Sequence, residues 1–244
     1  MEATKNYRLI PSFGASFGTG WKVMSDNFLR LFLVIIILGV IAMPMSFLHV
    51  NFDFHDFHNW EDFPFDHENF MRFGAIGLAA AMLGFARLLY VLLLLPVFTF
   101  GGKMMFVQSV RKQVPEFDLL ISGFRKNYLN IVLANLLVSA LVGIGLVCIL
   151  IPGIILACRL AFTPYLVMDK GLDPIKAAEE SWKLTRGHGW TIFFMAVVSF
   201  FIMIGGLICL FFGVFISIMW IKGAFASLYH SALIEKGMYE VEAA

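Results

Sequence analysis

The sequence predicts an all-α, polytopic integral membrane protein with six transmembrane helices and short amphipathic helices on the cytoplasmic side. Hydrophobic residues make up 60% of its 244 residues, whereas a soluble domain is about 45–50% apolar. Charged residues make up only 14% of the chain, and its mean hydropathy is +0.84. The apolar residues are also grouped into runs long enough to cross a bilayer, which needs about 20 residues per helix.

The runs define one membrane domain over residues 1–244, and its predicted spans are 28–48, 73–108, 128–151, 152–168, 189–204 and 207–233. The second run is longer than a bilayer requires, so we expect it to tilt, to kink at Pro96 or to extend beyond the membrane. Glycine-containing pairs are typical turn signals. They place a turn at Pro152-Gly153 and another at Gly205-Gly206.

The distribution of basic residues predicts the orientation of these spans. Segments 1–30, 103–126, 169–186 and 222–244 hold fifteen of the eighteen Lys and Arg residues. Six spans place all four segments on one side, which the positive-inside rule identifies as the cytoplasm. Both termini are therefore expected in the cytoplasm, and the loop 49–72, with six acids and one Arg, is expected outside.

Three segments on the predicted cytoplasmic side share a pattern. Residues 20–32, 122–132 and 180–193 each combine an aromatic and a basic residue with Asn or Gly before a span. The pattern is typical of interfacial amphipathic helices, and it fits either a threefold repeat or ordinary anchoring of spans. The third helix is specified best, because Asp173 is a suitable N-cap, Pro174 a suitable first residue and Gly187 a suitable C-cap.

The segment that contains this third helix also carries a resemblance. Ile151-Pro152-Gly153, then an arginine-containing span that ends at Pro164-Tyr165, then residues 169–190, resemble a group of bacterial membrane proteins. The group includes the YciC-like family and the membrane domain of some glycerophosphoryl diester phosphodiesterases. The resemblance covers about residues 10–235, apart from the acidic loop. It implies about six helices in the bacterial cytoplasmic membrane, and no catalytic residues, because the catalysis of the fused members resides in a separate domain.

Ionisable side chains inside spans are candidate functional groups. Arg87 flanks a stripe of small residues in span two (Gly74, Gly77, Ala81 and Gly84), and Arg159 lies in span four. A guanidinium matches a phosphate bidentately, so both arginines are candidates for binding an anionic lipid headgroup. Alternatively they bond carbonyls freed near the prolines, or snorkel to the membrane surface. The stripe is expected to pack against another helix, and Lys222 is expected to be an anchor at the inner interface.

The loop 49–72 is the candidate metal site. His55, His58, Asp62 and His67 combine imidazole with carboxylate, a ligand set that suits Zn²⁺ or another divalent ion. The alternative is an acidic exported loop without a ligand, whose aromatic residues lie in the outer interface.

Together these features predict a non-enzymatic membrane protein that acts through anionic lipids or membrane-protein partners, including copies of itself. No metalloprotease, phosphate-loop or nucleophile motif is present, and no cofactor is expected. A passive transporter or channel subunit is one alternative, and metal binding or sensing by the loop is another. No Asp or Glu is expected in any span, which argues against proton-coupled transport. A net charge of +1 provides no basic field for nucleic acid.

Overall fold

The structure, a computed structural model, describes residues 11–43, 67–148, 150–208 and 210–238. These residues form helices and turns, with no β-strand among them. In chain order the helices are α1 (Phe13–Asp26), α2 (Phe28–Ala42), α3 (His67–Leu89), α4 (Leu95–Val110), α5 (Leu119–Lys126), α6 (Tyr128–Cys148), α7 (Leu150–Arg159), α8 (Thr163–Lys170), α9 (Pro174–Leu184), α10 (Gly189–Ile208) and α11 (Leu210–Glu235).

The predicted all-α fold with several membrane-spanning helices is confirmed. Among the described residues, five helices are long and apolar enough to cross a membrane: Gly77–Val110, Tyr128–Cys148, Leu150–Lys170, Gly189–Ile208 and Phe212–Glu235. A sixth is counted if α1 and α2, which meet at an angle of 95°, are taken as one bent span. The last five residues of predicted span one, 44–48, lie outside the described residues.

A short helix precedes a membrane helix at three places, as the repeated sequence pattern predicts. The backbone leaves the helical conformation at Asn27, between α1 and α2, and at Asn127, between α5 and α6, with ψ of 28° at both residues. Before α10, the short helix α9 begins at Pro174 after Asp173, as predicted. It ends at Leu184, however, and Gly187 lies in the connection to α10 with a φ of 95°.

The long second run passes through Pro96 as one helix rather than breaking there. A π-helical turn, Tyr90–Leu94, joins α3 to α4 directly before the proline. Proline has no N–H to donate to the preceding turn, and the wider π turn accommodates that missing bond. The helix also begins earlier than predicted, at His67, so the last six residues assigned to the loop 49–72 are helical.

Both predicted turns between spans are misplaced. Pro152 and Gly153 lie in the first turns of α7, which begins at Leu150, and Gly205 and Gly206 lie inside α10, which ends at Ile208. A proline is tolerated there because the first turn of a helix has no intrahelical acceptor for its N–H groups. Gly153 and Gly206 contact a neighbouring helix instead of forming a turn.

The helix contacts at these glycines are too close for any side chain. A Cβ at Gly153 would lie 2.6 Å from Cγ of Leu146 on α6, and a Cβ at Gly206 would lie 2.7 Å from the carbonyl oxygen of Gly213 on α11. Lipid tails are as apolar as the helices, so helix association in a membrane depends on this kind of close packing rather than on the hydrophobic effect. Each glycine therefore fixes one helical hairpin, α6–α7 or α10–α11.

A buried ion pair joins three membrane helices at their ends. Arg111, which follows α4, donates from Nη1 and Nη2 to the two carboxylate oxygens of Asp169 on α8, at 2.7 and 2.5 Å. Tyr229 on α11 donates its hydroxyl to the same carboxylate at 2.9 Å. The side chains of Arg111 and Asp169 are each only 9% exposed. The core of the protein surrounds this cluster, with buried residues from α4, α8 and the second half of α11; we call this part the packed end.

The glycine contact is tested by a pair of neighbouring substitutions. Gly206→Ala places a methyl group against Gly213 and Ser217, whereas Gly205→Ala meets nothing within 4 Å. We expect Gly206→Ala to lower the free energy of unfolding in detergent by about 1–3 kcal/mol. Gly205→Ala should leave it unchanged or slightly higher, because alanine favours a helix over glycine by about 1 kcal/mol. Equal effects of the two substitutions would contradict the contact.

The ion pair is tested at Asp169. Asp169→Asn leaves the charge of Arg111 buried without a carboxylate, and removing one partner of a buried pair costs about 3–5 kcal/mol. Asp173→Asn is the matched control, because Asp173 forms an exposed pair with Lys176, with side chains 63% and 72% exposed. Such surface pairs contribute about 0–1 kcal/mol. In thermal unfolding in detergent, Asp169→Asn should therefore have a clearly lower midpoint than Asp173→Asn. Equal midpoints for the two variants would contradict a buried ion pair at Asp169.

Candidate functional site

Arg159 is the last residue of α7, and its side chain contacts Trp182 on α9 and Thr185, the residue that follows α9. Its Nη1 donates to the carbonyl oxygen of Thr185 at 3.0 Å, and its Cζ lies 5.5 Å from the ring centroid of Trp182. The hydrogen bond and the cation–π contact together hold the guanidinium against α9. The remaining N–H groups of the guanidinium have no partner among the described residues.

Ser181 fixes the backbone beside this arginine. The helix is interrupted between Arg159 and Thr163, and the fully buried hydroxyl of Ser181 spans the interruption. It donates to the carbonyl oxygen of Arg159 at 2.8 Å and accepts from the backbone N–H of Phe162 at 3.2 Å. Both backbone groups lack helical partners at a helix end, so the serine satisfies them and attaches α9 to the junction of α7 and α8.

The N-terminus of α10 lies against the guanidinium. A Cβ built on Gly189, the first residue of α10, would be 3.9 Å from Cζ of Arg159. The first N–H groups of a helix lack intrahelical acceptors and carry a partial positive charge. A full positive charge and the positive end of a helix dipole are thus brought together, an arrangement that favours an anion between them.

A cavity of about 550 Å³ opens at this point between α7 and α10. Its size is within the range of small-molecule sites, about 300–1,000 Å³. Arg159 is its charged residue, and the rest of its lining holds no acid; the lining residues are Ile151, Ile154, Ile155, Cys158, Arg159, Gly187, Gly189, Trp190 and Phe193. Much of this apolar wall is exposed, with Ile155 at 51% and Trp190 at 74%. The cavity is therefore a largely apolar groove with a positive charge at one end.

Arg87 does not share this cavity. It lies in the last turn of α3, it is half-buried, and it forms no hydrogen bond or ion pair with the residues that the structure describes. At Gly77 and Gly84 the neighbouring stripe does not form the predicted helix contact with the described part of the chain, where a Cβ on either glycine would meet nothing within 4 Å. Of the two arginines predicted to bind a headgroup, Arg159 therefore lines the cavity between α7 and α10, and Arg87 does not.

The candidate metal ligands stay a prediction. His55, His58 and Asp62 lie outside the described residues, and His67 is the first residue of α3. Across the ranges that the structure describes, no three His, Cys, Asp or Glu side chains are grouped closely enough to hold a metal ion.

Two features of the interior differ from the sequence-based expectations. Asp169 belongs to a membrane helix, because α8 continues to Lys170 and ends at Gly171, which has a φ of 62°. A glycine in that conformation commonly ends a helix. Gly171 is therefore the sequence signal from which Asp169 could have been assigned to the helix. Lys222 is not an anchor at a helix end, since α11 begins at Leu210 and the lysine lies in its middle.

Comparison of the chain with models of protein families, with curated proteins and with solved structures found no match.

The junction that positions Arg159 is tested by Ser181→Ala. This substitution leaves the buried N–H of Phe162 without an acceptor, and an unsatisfied buried group costs about 1–3 kcal/mol. Ser231→Ala is the control, because the buried Ser231 hydroxyl bonds only to the carbonyl of Leu228 in its own helix. We expect a lower free energy of unfolding in detergent for Ser181→Ala and little change for Ser231→Ala. Equal losses would show that Ser181 has no special role at the junction.

Proposed function

We propose that this protein is a non-enzymatic membrane protein that binds an anionic phospholipid in the groove between α7 and α10. The observation that supports the proposal is the position of Arg159, at the N-terminus of α10 and at the charged end of an apolar cavity. The guanidinium would hold the phosphate, and the apolar wall would take part of an acyl chain.

Electrostatics favours an anion at the charged end. A cation beside a helix N-terminus is destabilising, because the helix dipole has its positive end there. A phosphate group would be attracted both to the guanidinium and to the free N–H groups of α10. The cavity lining holds no carboxylate that could serve as a counter-ion instead.

The wall of the groove favours a lipid over a water-soluble anion. Ile151 and Ile155 are 67% and 51% exposed, and both lie on α7, in a helix apolar enough to cross a membrane. In a bilayer these side chains face hydrocarbon, so a ligand that enters sideways would carry its own apolar chain. The resemblance to YciC-like bacterial proteins, which stays a prediction, specifies no ligand, and the choice of a lipid rests on this groove.

Lipid retention by Arg159 variants tests the proposal. Protein purified in detergent would be incubated with phosphatidylglycerol or phosphatidylcholine, and retained lipid would be counted by native mass spectrometry. Charge-assisted hydrogen bonds contribute roughly 1.5–3 kcal/mol. We therefore expect Arg159→Ala to bind phosphatidylglycerol roughly ten- to a hundredfold more weakly than the unsubstituted protein. Arg159→Lys should lose less, because it keeps the charge but not the bidentate geometry.

Two controls separate the charge from the structure around it. Arg87→Ala removes one positive charge from an apolar helix without touching the cavity, and it should retain lipid like the unsubstituted protein. Ser181→Ala keeps the arginine but loosens the junction that positions it, so a loss of lipid in this variant as large as in Arg159→Ala would indicate an indirect effect of structure. Equal retention of phosphatidylglycerol by Arg159→Ala and the unsubstituted protein would refute the proposal.

A further inference from the structure

His188 directly precedes α10, at the end of the groove that holds Arg159. Its backbone carbonyl accepts a hydrogen bond from the N–H of Ile192 in the first turn of the helix. Its chain neighbours Gly187 and Gly189 both line the cavity, although His188 itself is not part of the lining. A change in the charge of this imidazole therefore occurs next to the point where α10 meets the guanidinium.

One acid lies against this histidine. Nε2 of His188 is 3.1 Å from Oε2 of Glu235, the last residue of α11. The histidine side chain is 12% exposed and the glutamate side chain 45% exposed, so water and salt screen their interaction only in part. The contact joins the N-terminus of α10 to the C-terminus of α11. It also places a carboxylate beside the helix end that would attract the phosphate.

The second ring nitrogen of His188, Nδ1, is buried without a hydrogen-bond partner among the described residues. A bond at one ring nitrogen of a histidine determines which protonation form the ring adopts. Because no such bond exists at Nδ1 in the described part of the chain, the charge of the ring depends on Glu235 and on pH. Histidine ordinarily changes its charge between pH 5 and 8.

The other charged groups around α10 do not pair with His188. The helices α1, α7 and α11 pack against α10, and α9 precedes it in the chain. Apart from Glu235, the charged or titratable residues of these helices and of the turns next to them are Lys22, Asp26, Cys158, Arg159, Lys176, Glu179, Glu180, Lys183, Arg186, Lys222, Tyr229, His230 and Lys236. None of them forms an ion pair or a hydrogen bond with the imidazole.

We infer that His188 makes lipid binding in the groove dependent on pH, with an anionic phospholipid bound more tightly when the imidazole is protonated. The inference rests on the proposed function, because it describes the regulation of the same groove. When His188 is neutral, the carboxylate of Glu235 opposes the positive field of Arg159 and of the α10 N-terminus. Protonation of the histidine neutralises that carboxylate, so the phosphate is attracted without an opposing charge. By linkage, bound lipid in turn favours the protonated histidine.

The test compares lipid binding by the full chain in a non-ionic detergent at pH 6 and pH 8. Dioleoyl phosphatidylglycerol is the probe, because its phosphodiester carries one negative charge at both pH values. Retained lipid is counted by native mass spectrometry over a range of lipid concentrations. We expect binding to be roughly three- to tenfold tighter at pH 6, the effect expected of nearby charges that are partly exposed to water. Arg159→Ala should bind weakly at both pH values.

Two substitutions assign the pH dependence to the pair. His188→Gln cannot become charged, so it should bind at both pH values like the unsubstituted protein at pH 8. Glu235→Gln removes the opposing carboxylate, so at pH 8 it should bind about as tightly as the unsubstituted protein at pH 6. Glu179→Gln is the matched control and should keep the full pH dependence, because Glu179 is exposed and forms no ion pair within the described ranges.

The outcomes separate the inference from the proposed function. Arg159-dependent binding that is equal at the two pH values, or a pH dependence that persists in His188→Gln, overturns the inference and leaves the proposed function standing. Binding that does not depend on Arg159 at either pH overturns both. If His188→Gln does not fold, Glu235→Gln decides: binding at pH 8 no tighter than that of the unsubstituted protein overturns the inference.

Discussion

The bidentate ion pair between Arg111 and Asp169 is the constraint on which the packed end depends. It connects residues 58 positions apart in the chain, and Tyr229 on α11 bonds to the same carboxylate. A buried pair of this kind gains little net stability over apolar packing, but separating its partners is costly. Its physical effect is therefore to fix register: α4, α8 and α11 can slide or rotate only by exposing a charge.

Away from this end, close packing at glycines replaces charge as the organising force. The hairpins α6–α7 and α10–α11 meet at Gly153 and Gly206, where even a methyl group would collide with the facing helix. Large apolar side chains such as Val147 and Leu207 are 88% and 71% exposed near the same hairpins. In water this exposure would destabilise the protein, whereas in hydrocarbon it costs nothing. One fold thus combines a packed core at one end with helices that are largely exposed at the other.

The sequence predicts correctly the features that depend on local composition. Its predictions are wrong where one residue type, such as glycine, is common in two different structural settings. Apolar length identifies the membrane helices, and Asp173-Pro174 predicts the start of α9 correctly. A glycine in a loop commonly marks a turn, but a glycine in a membrane helix also permits close contact with another helix. Gly153 and Gly206 lie in helices and form such contacts. The cavity illustrates a further limit. Arg159 is identifiable as a charged residue in an apolar run, but its contact with Gly189 joins two helices whose packing no local pattern encodes.

The two arginines at helix ends differ in how their charge is balanced. Arg111 is only 9% exposed, and its charge is neutralised by the carboxylate of Asp169, which is exposed to the same small extent. Arg159 lies at a groove whose lining holds no carboxylate. The wall of this groove includes exposed isoleucines, so a phospholipid can approach sideways and keep its chains in hydrocarbon. The same kind of side chain therefore fixes helix register where an acid faces it, and is available to an anionic headgroup where none does.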